Sequence, residues 1–180
     1  MEVRELGPLG LRVSAQGLGC MGMSTTYGPS NDRESLATVD RAAGLGVTFF
    51  DMAEVYGPFH NEELLGRALS ARRGELVLAT KVRFAFTDDG KLKMINGTRV
   101  ADGRPEHVIR AVEESLRRRR TDYIDLVHLH RIDPAVPVED KGITPTQLAL
   151  AWTVAQGGFP SQAHGRSSTW RKTSPPRLSQ

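Results

Sequence analysis

The chain has 180 residues, of which 39% are hydrophobic and 25% are charged, and its formal net charge is +3. This composition is typical of a globular domain with a sizeable core and argues against disordered and fibrous classes. The single cysteine, Cys20, excludes an internal disulfide, and no apolar run is long enough to cross a bilayer. We therefore expect a cytoplasmic protein without a membrane partner.

The first quarter of the chain predicts short strands around one helix. Residues 3–15 alternate loosely around glycine and proline, which predicts a β-hairpin, and residues 16–23 predict a small-residue strand whose backbone closely approaches a neighbour. A helix can begin at Ser30 or Asn31 and end at the glycines that follow. Its apolar face is formed by Leu36, Val39 and Ala43. A buried strand at residues 47–51 comes next.

The middle of the chain predicts a second helix, a strand and a long loop. The helix covers residues 61–73, and the strand covers residues 76–81. The buried stripe of this helix is formed by Leu64, Leu65, Ala68 and Leu69. Residues 84–103 contain turn dipeptides and little periodicity, so we expect a loop of the kind that contacts substrate. Asn96-Gly97 predicts a turn within it.

A third helix begins at Pro105, which suits the first helical position, and ends in the arginine run at residues 117–120. Its predicted apolar face is formed by Val108, Ile109, Val112 and Leu116. We interpret the arginine run as a solvated helix end and expect no nucleic-acid binding, because no aromatic residues interleave with it. Residues 124–130 predict another strand. The alternation of strands and helices predicts an α/β fold with a parallel sheet, either a barrel or an open doubly wound sheet.

Three of the predicted strands end in a titratable side chain: Asp51, Lys81 and His130. A barrel brings its strand ends together at one mouth, whereas an open sheet spreads them along an edge. An open sheet that binds a dinucleotide is also expected to carry a Gly-x-Gly-x-x-Gly turn. The glycines at positions 17, 19 and 22 lack that spacing, which favours the barrel.

Asp51, Tyr56, Lys81 and His130 would form a proton-donating site for carbonyl reduction if they meet at this mouth. A phenol is a poor acid at neutral pH, and a nearby ammonium stabilises the phenolate, so Lys81 would help Tyr56 to donate. Asp51 would keep Lys81 charged, and His130 would polarise the carbonyl group. None of these side chains can supply a hydride, which implies a nicotinamide cofactor.

Each candidate also has a structural alternative. Asp51 could cap a strand end, Tyr56 could be an amphipathic loop residue, and Lys81 could be a solvated charge. His128 and His130 are two residues apart on a strand and point the same way, as in a metal-dependent barrel hydrolase. No matching Asp, Glu or His cluster accompanies this pair, so we expect no metal site.

At these residues the chain resembles the aldo-keto reductases, in the branch similar to perakine reductase and the auxin-induced proteins. The matching stretches are Leu18-Gly19-Cys20-Met21-Gly22-Met23, Phe50-Asp51, Tyr56-Gly57, Asn61-Glu62, Leu64-Leu65-Gly66, Ala79-Thr80-Lys81, Asp122-Tyr123-Ile124-Asp125-Leu126 and His130-Arg131-Ile132-Asp133. The resemblance implies a partial (β/α)8 TIM barrel with the first four βα units, one late helix and an N-terminal β-hairpin.

The resemblance also implies a site and a reaction. The family's catalytic tetrad falls on four residues of this chain: Asp51, Tyr56, Lys81 and His130. The implied function is an NADPH-dependent oxidoreductase that reduces aldehydes or ketones to alcohols, with Tyr56 as the proton donor. Cys20, Met21 and Asp51 match positions near the cofactor. The implied partner is a small carbonyl substrate, and the oligomeric state is left open.

The match covers residues 1–140, after which a helix that belongs late in the barrel follows directly at residues 141–157. Residues 158–180 are rich in Ser, Arg and Pro and predict disorder. If this tail is encoded with suitable synonymous codons and the frame one nucleotide earlier is translated, the product resembles the family's eighth strand. We interpret the pattern as an internal deletion with a frameshifted tail, so the alternative function is a catalytically inactive truncated isoform that lacks most of the cofactor site. Arg119 stands where the family usually has leucine, so we expect altered packing there.

Overall fold

The computed structural model describes residues 1–6, 10–25, 28–131 and 133. The helix predicted at residues 141–157 and the disorder predicted at residues 158–180 therefore lie outside the described residues. The elements that position the candidate site belong to one compact unit, which includes the described part of residues 13–133.

The described residues form eight strands and three α-helices. The strands are Val3–Leu6 (β1), Leu11–Ser14 (β2), Gly17–Gly19 (β3), Phe49–Asp51 (β4), Val77–Val82 (β5), Met94–Ile95 (β6), Thr98–Arg99 (β7) and Leu126–Leu129 (β8). The α-helices are Asp32–Gly44 (α1), His60–Leu69 (α2) and Pro105–Arg118 (α3). Short 3-10 segments cover Met21–Met23 and Ser70–Glu75.

Four of these strands form one parallel sheet in the order β3-β4-β5-β8, and β1–β2 and β6–β7 form separate two-stranded sheets. Phe50 is in register with Leu18 on one side and Leu78 on the other. Gly17 lies so close to β4 that an added Cβ would be 2.6 Å from Cδ1 of Phe49, which confirms the predicted close approach. Since α1, α2 and α3 each join neighbouring parallel strands, the predicted α/β fold is confirmed.

The helices begin where the sequence predicts, but two apolar residues assigned to their buried faces are exposed. Asn31 is the N-cap of α1 and accepts the backbone N–H of Glu34 at 3.2 Å. The predicted burial of Leu36 and Ile109 is wrong: these side chains are 38% and 60% exposed. On α1 the predicted positions Val39 and Ala43 are buried, together with Ser35, whereas on α3 the buried face runs through His107, Ala111 and Ser115. The second helix is also shorter than predicted, ending at residue 69.

The predicted loop at residues 84–103 is more ordered than its sequence indicates. It contains the hairpin β6–β7 and antiparallel bridges from Phe84 to Ala101 and from Phe86 to Leu92. The Asn96-Gly97 turn has φ values of 49° and 75°, as the two central residues of a tight hairpin require. Its strands are two residues long, too short for an alternating pattern to be recognised in the sequence.

The core lies between the parallel sheet and helices α1 and α2. Its members are Cys20, Met23, Val39, Ala43, Phe50, Met52, Leu65, Leu69, Leu76 and Leu78. A second cluster surrounds Tyr56 and contains Ala53, Val55 and Phe84. No helix among the described residues is long and apolar enough to span a bilayer.

Candidate active site

The carboxyl ends of three parallel strands bring Asp51, Lys81 and His130 to the same edge of the sheet. Asp51 is the last residue of β4, Lys81 is the next-to-last residue of β5, and His130 follows β8 directly. The backbone N–H of His130 donates to the carbonyl of Val82 at 3.1 Å, which continues the pairing of these two strands. The sheet therefore brings together residues separated by 79 positions in sequence, from 51 to 130.

Lys81 is the central cation of the site. Its Nζ donates to Oδ2 of Asp51 at 2.6 Å, to the carbonyl of Met52 at 3.0 Å and to the phenolic oxygen of Tyr56 at 3.2 Å. The three acceptors match the three N–H donors of an ammonium group. The side chain of Lys81 is 19% exposed, so it is not the solvated charge that the alternative interpretation assigned to it.

Tyr56 is presented by the loop that follows β4. Its ring is buried, and its backbone N–H donates to the carbonyl of Ala53 at 3.1 Å, which forms a tight turn. Gly57 next to it has φ of 62°, and an added Cβ would lie 2.9 Å from the backbone oxygen of Ser24. A glycine is required at this position by both the backbone conformation and the lack of space.

His130 lies edge-on to Tyr56, with ring centroids 5.9 Å apart and planes at 89°, and it also contacts the ring of Phe84 at 5.1 Å. Burial lowers the pKa of His130 to about 4, and the nearby cation Lys81 acts in the same direction. The imidazole is therefore neutral at pH 7. Its Nδ1 is buried and has no hydrogen-bond partner in the described part of the chain.

Cys20 and Met21 lie beside the tetrad but differ in how far their side chains are buried. Cys20 is completely buried in the core, and its backbone N–H donates to the carbonyl of Asp51 at 2.8 Å. Burial raises the pKa of its thiol to about 12, so the side chain is an inert apolar group. Met21 is half-buried and packs against the cluster around Tyr56. Contact of these two residues with a cofactor stays a prediction.

Sequence reasoning missed two buried polar residues that support this site. Asn61 donates from Nδ2 to the carbonyl of Cys20 at 2.9 Å and to Oγ of Ser24 at 3.0 Å, which holds the segment that carries Met21. Glu54 accepts two backbone N–H groups after β5. Asn61 opens the matching stretch Asn61-Glu62, and Glu54 lies between Asp51 and Tyr56, but the sequence alone gives neither residue a role. The available signal is a polar residue within an apolar stretch.

Within the part of the chain that the structure describes, His128 and His130 have no further metal ligands beside them. His128 is exposed on β8, where it is in register with Lys81. No group of three or more His, Cys, Asp or Glu side chains that could hold a metal ion occurs among the described residues. The arrangement around Lys81 instead provides a phenol, an ammonium and a neutral imidazole within one small region, which suits proton donation to an oxygen atom.

Comparison with known proteins matches residues 16–141 to the aldo/keto reductase family model, well over half of the chain. An aldo-keto reductase from Bacillus halodurans in its holo form is 32% identical, with a TM-score of 0.66 over 87% of this chain and 47% of that one. A glycerol dehydrogenase from Gluconobacter oxydans is 30% identical, with a TM-score of 0.61 over 75% of this chain and 40% of that one. The chain thus spans about half the length of these relatives.

The parallel strands and helices of the described residues are accordingly part of a (β/α)8 barrel, as the convergent strand ends predicted. The family match includes the whole of the tetrad, and residues 1–15 lie before it. From the sequence match and the structural likeness together, this chain belongs to the aldo/keto reductase family.

Proposed function

We propose that this chain carries the acid–base groups of an NADPH-dependent aldo-keto reductase, with Tyr56 as the proton donor that converts an aldehyde or ketone to an alcohol. The observation that carries the proposal is the position of Lys81 Nζ, 2.6 Å from Asp51 and 3.2 Å from Tyr56. An ammonium in contact with a phenol stabilises the phenolate that remains after proton donation. Asp51 balances the charge of Lys81, whose side chain is only 19% exposed.

His130 has a separate role in this proposal. Its neutral ring can donate an N–H to a carbonyl oxygen, which orients the carbonyl group and stabilises negative charge that develops on the oxygen. The lowered pKa of His130 and its edge-on contact with Tyr56 support this role. Tyr56 is then the acid of the pair, because it is the group in contact with a cation.

NADPH supplies the hydride when it is bound, since none of these side chains can do so. We assign Met21 and Asp51 to its nicotinamide end, because Met21 packs beside Tyr56 and the Asp51 side chain is 36% exposed. Cys20 can act there only through its backbone, because its side chain is fully buried. The residues present therefore fit one end of the cofactor.

Substitution of Tyr56 tests the proposal. Purified chain is titrated with NADPH by fluorescence quenching and assayed with an aromatic aldehyde. We expect Tyr56→Phe to lower kcat by roughly 10²- to 10⁴-fold, the usual contribution of a positioned general acid, without weakening NADPH binding. Tyr123→Phe is the matched control, since Tyr123 is 44% exposed and lies outside the site. Equal turnover by the Tyr56→Phe variant and the unchanged chain contradicts the role of Tyr56.

The second candidate is a catalytically inactive isoform that acts by association with another chain. The chain covers 47% of the Bacillus halodurans enzyme and 40% of the Gluconobacter oxydans enzyme. The same titration separates the two candidates. Saturable quenching with turnover supports the reductase, and a folded chain without quenching supports the inactive isoform.

A further inference from the structure

Glu54 is a buried carboxylic acid that the proposed reaction does not use. It lies between Asp51 and Tyr56 in the chain, and its side chain is only 2% exposed. A buried carboxylate is costly unless its oxygens accept hydrogen bonds. The partners that Glu54 has acquired therefore indicate what it does.

The partners of Glu54 come from the residues that follow β5. Its Oε1 accepts the backbone N–H of Arg83 at 2.6 Å and that of Phe84 at 2.9 Å. Its own backbone N–H donates to the carbonyl of Lys81 at 3.2 Å, and its carbonyl accepts the N–H of Phe59 at 2.7 Å. One residue thus ties the loop that carries Tyr56 to the strand end that carries Lys81.

The backbone held by Glu54 is not relaxed. Arg83 has φ of 123°, a region that residues other than glycine rarely adopt. Its carbonyl is held in turn by the N–H of Asp102 at 2.8 Å. This turn directs Phe84 against the ring of His130 at 5.1 Å. Loss of the carboxylate would release a strained turn that lies between Lys81 and Phe84, the residue that packs against His130.

We propose that the carboxylate of Glu54 is a positioning residue that holds Lys81 in contact with Tyr56, by fixing the loop after β4 to the turn after β5. This inference rests on the proposed function for its catalytic consequence. Its structural part is the pair of hydrogen bonds by which Glu54 holds the backbone N–H groups of Arg83 and Phe84, here called the grip. This part can be tested without turnover.

The ionisation of Glu54 provides the readout. Burial raises the pKa of Glu54 to about 7, although the N–H groups of Phe84 and Arg83 oppose this rise. The charged groups that face it from the packed helices are Glu62 on α2, which also raises the pKa, and Arg118 on α3, which lowers it. Ionised carboxylates accept shorter and stronger hydrogen bonds than neutral acids. The hydrogen bonds that hold the turn therefore strengthen as the pH rises through 7, although burial of the charge lowers the free energy of unfolding over the same range.

Amide NMR of the ¹⁵N-labelled chain tests the grip directly. We expect the amide protons of Arg83 and Phe84 to move downfield between pH 5.5 and 8.5 with one shared midpoint near 7. In Glu54→Gln, which keeps an acceptor oxygen but cannot ionise, neither proton should titrate. Two amide protons that do not titrate in the unchanged chain, or that titrate equally in the Glu54→Gln variant, overturn the inference.

Kinetics test the consequence for the tetrad. In the unchanged chain kcat should decrease as the pH falls below 7, whereas Glu54→Gln should give a flat profile from pH 6 to 8 at the level of the protonated chain. Glu54→Leu should lower kcat roughly 10- to 100-fold at every pH with a smaller change in KM, the size of effect that a misplacement of about 1 Å produces. If kcat of Glu54→Gln still decreases as the pH falls below 7, the positioning role of Glu54 is contradicted.

A direct structural readout does not depend on activity. Nuclear Overhauser contacts between the Lys81 side chain and the Tyr56 ring should persist in Glu54→Gln and disappear in Glu54→Leu, with unchanged circular dichroism. If Glu54→Leu does not fold, the amide titration and the pH profile of Glu54→Gln still decide the question. Absent turnover in the unchanged chain rejects the proposed function alone, whereas absent amide titration rejects the grip alone.

Discussion

Gly66 of α2 and Arg119 at the end of α3 touch backbone to backbone: a Cβ added to Gly66 would lie 2.6 Å from Cα of Arg119. The neighbouring backbone atoms, the oxygen of Arg118 and the carbonyl carbon of Arg119, are equally close at 2.7 and 2.9 Å. Backbone cannot move aside as the end of a flexible side chain can. The contact therefore fixes how closely the two helices approach each other.

We expect Gly66→Ala to lower the free energy of unfolding by roughly 1 to 3 kcal/mol, the usual cost of overpacking, despite the better helix propensity of alanine. Urea denaturation followed by circular dichroism measures the change. Gly44→Ala is the control, because Gly44 is also helical and an added Cβ meets nothing within 4 Å. Equal effects of the two substitutions would contradict the close approach.

Arg119 itself is a buried cation that has no hydrogen-bond partner among the described residues. Its side chain is 1% exposed, and none of its three guanidinium nitrogens has a hydrogen bond within the described residues. Burial lowers the pKa of Arg119 to about 10, which measures how poorly its charge is accommodated. We expect Arg119→Leu to raise the free energy of unfolding by about 2 to 4 kcal/mol, since an apolar side chain costs no desolvation.

Arg117→Leu is the control for this prediction, because Arg117 is exposed and an exposed substitution usually changes stability by less than about 0.5 kcal/mol. A destabilised Arg119→Leu variant would show that the guanidinium is accommodated after all.

The arginine run is only partly the solvated helix end that the sequence predicts. The position where the resemblance expects leucine is buried, whereas Arg117 and Arg120 are exposed.

Glu62 joins three elements around the strand that carries Lys81. It is fully buried and accepts the hydroxyls of Thr80 on β5 and Ser115 on α3, each at 2.6 Å. Its second oxygen accepts Nε of Arg118 at 2.7 Å. We expect Glu62→Gln to lower the free energy of unfolding by roughly 3 to 5 kcal/mol, because it removes the closest carboxylate from the largely buried Arg118 cation and leaves only the longer contact with Glu114 at 3.7 Å.

Glu63→Gln is the matched control on the same helix, since Glu63 is exposed. It should change the free energy of unfolding by less than about 0.5 kcal/mol. Thermal unfolding of both variants gives the comparison. A Glu62→Gln variant as stable as Glu63→Gln would mean that Arg118 finds another acceptor or water.

The features that the sequence predicts are those that depend on residues close to each other in the sequence. Asp51 and Lys81 could be chosen because each ends an apolar strand, and parallel strands present their carboxyl ends at one edge. The start of α1 follows from Asn31 three residues before Glu34, a local capping geometry. These inferences need only a few consecutive residues.

The features that the sequence does not predict depend on contacts between distant residues. Glu54 acts on backbone groups 29 and 30 residues further along the chain. Ser115 lies on the buried face of α3, where apolar residues are expected, because Glu62 supplies an acceptor 53 residues away. Ile109 is exposed because the buried stripe passes through His107, Ala111 and Ser115 instead. Periodicity counts apolar residues and cannot detect such partners.

Glu54 and His130 should give opposite pH dependences of stability. Burial raises the pKa of Glu54 from its ordinary 4.5 to about 7, so its contribution is complete below pH 4.5 and is lost as the pH rises through 7. Burial lowers the pKa of His130 from 6.5 to about 4, so its contribution is present above pH 6.5 and is lost as the pH falls towards 4.

Because these contributions oppose each other between pH 4.5 and 6.5, the unchanged chain should show a shallow profile there. Glu54→Gln should expose the histidine contribution, with stability that rises over this range and is level above it. His130→Gln should expose the contribution of Glu54, with a loss of up to about 3 kcal/mol as the pH rises from 5 to 8. Urea denaturation at unit pH intervals measures both slopes, and slopes of the same sign in the two variants would refute the assignment.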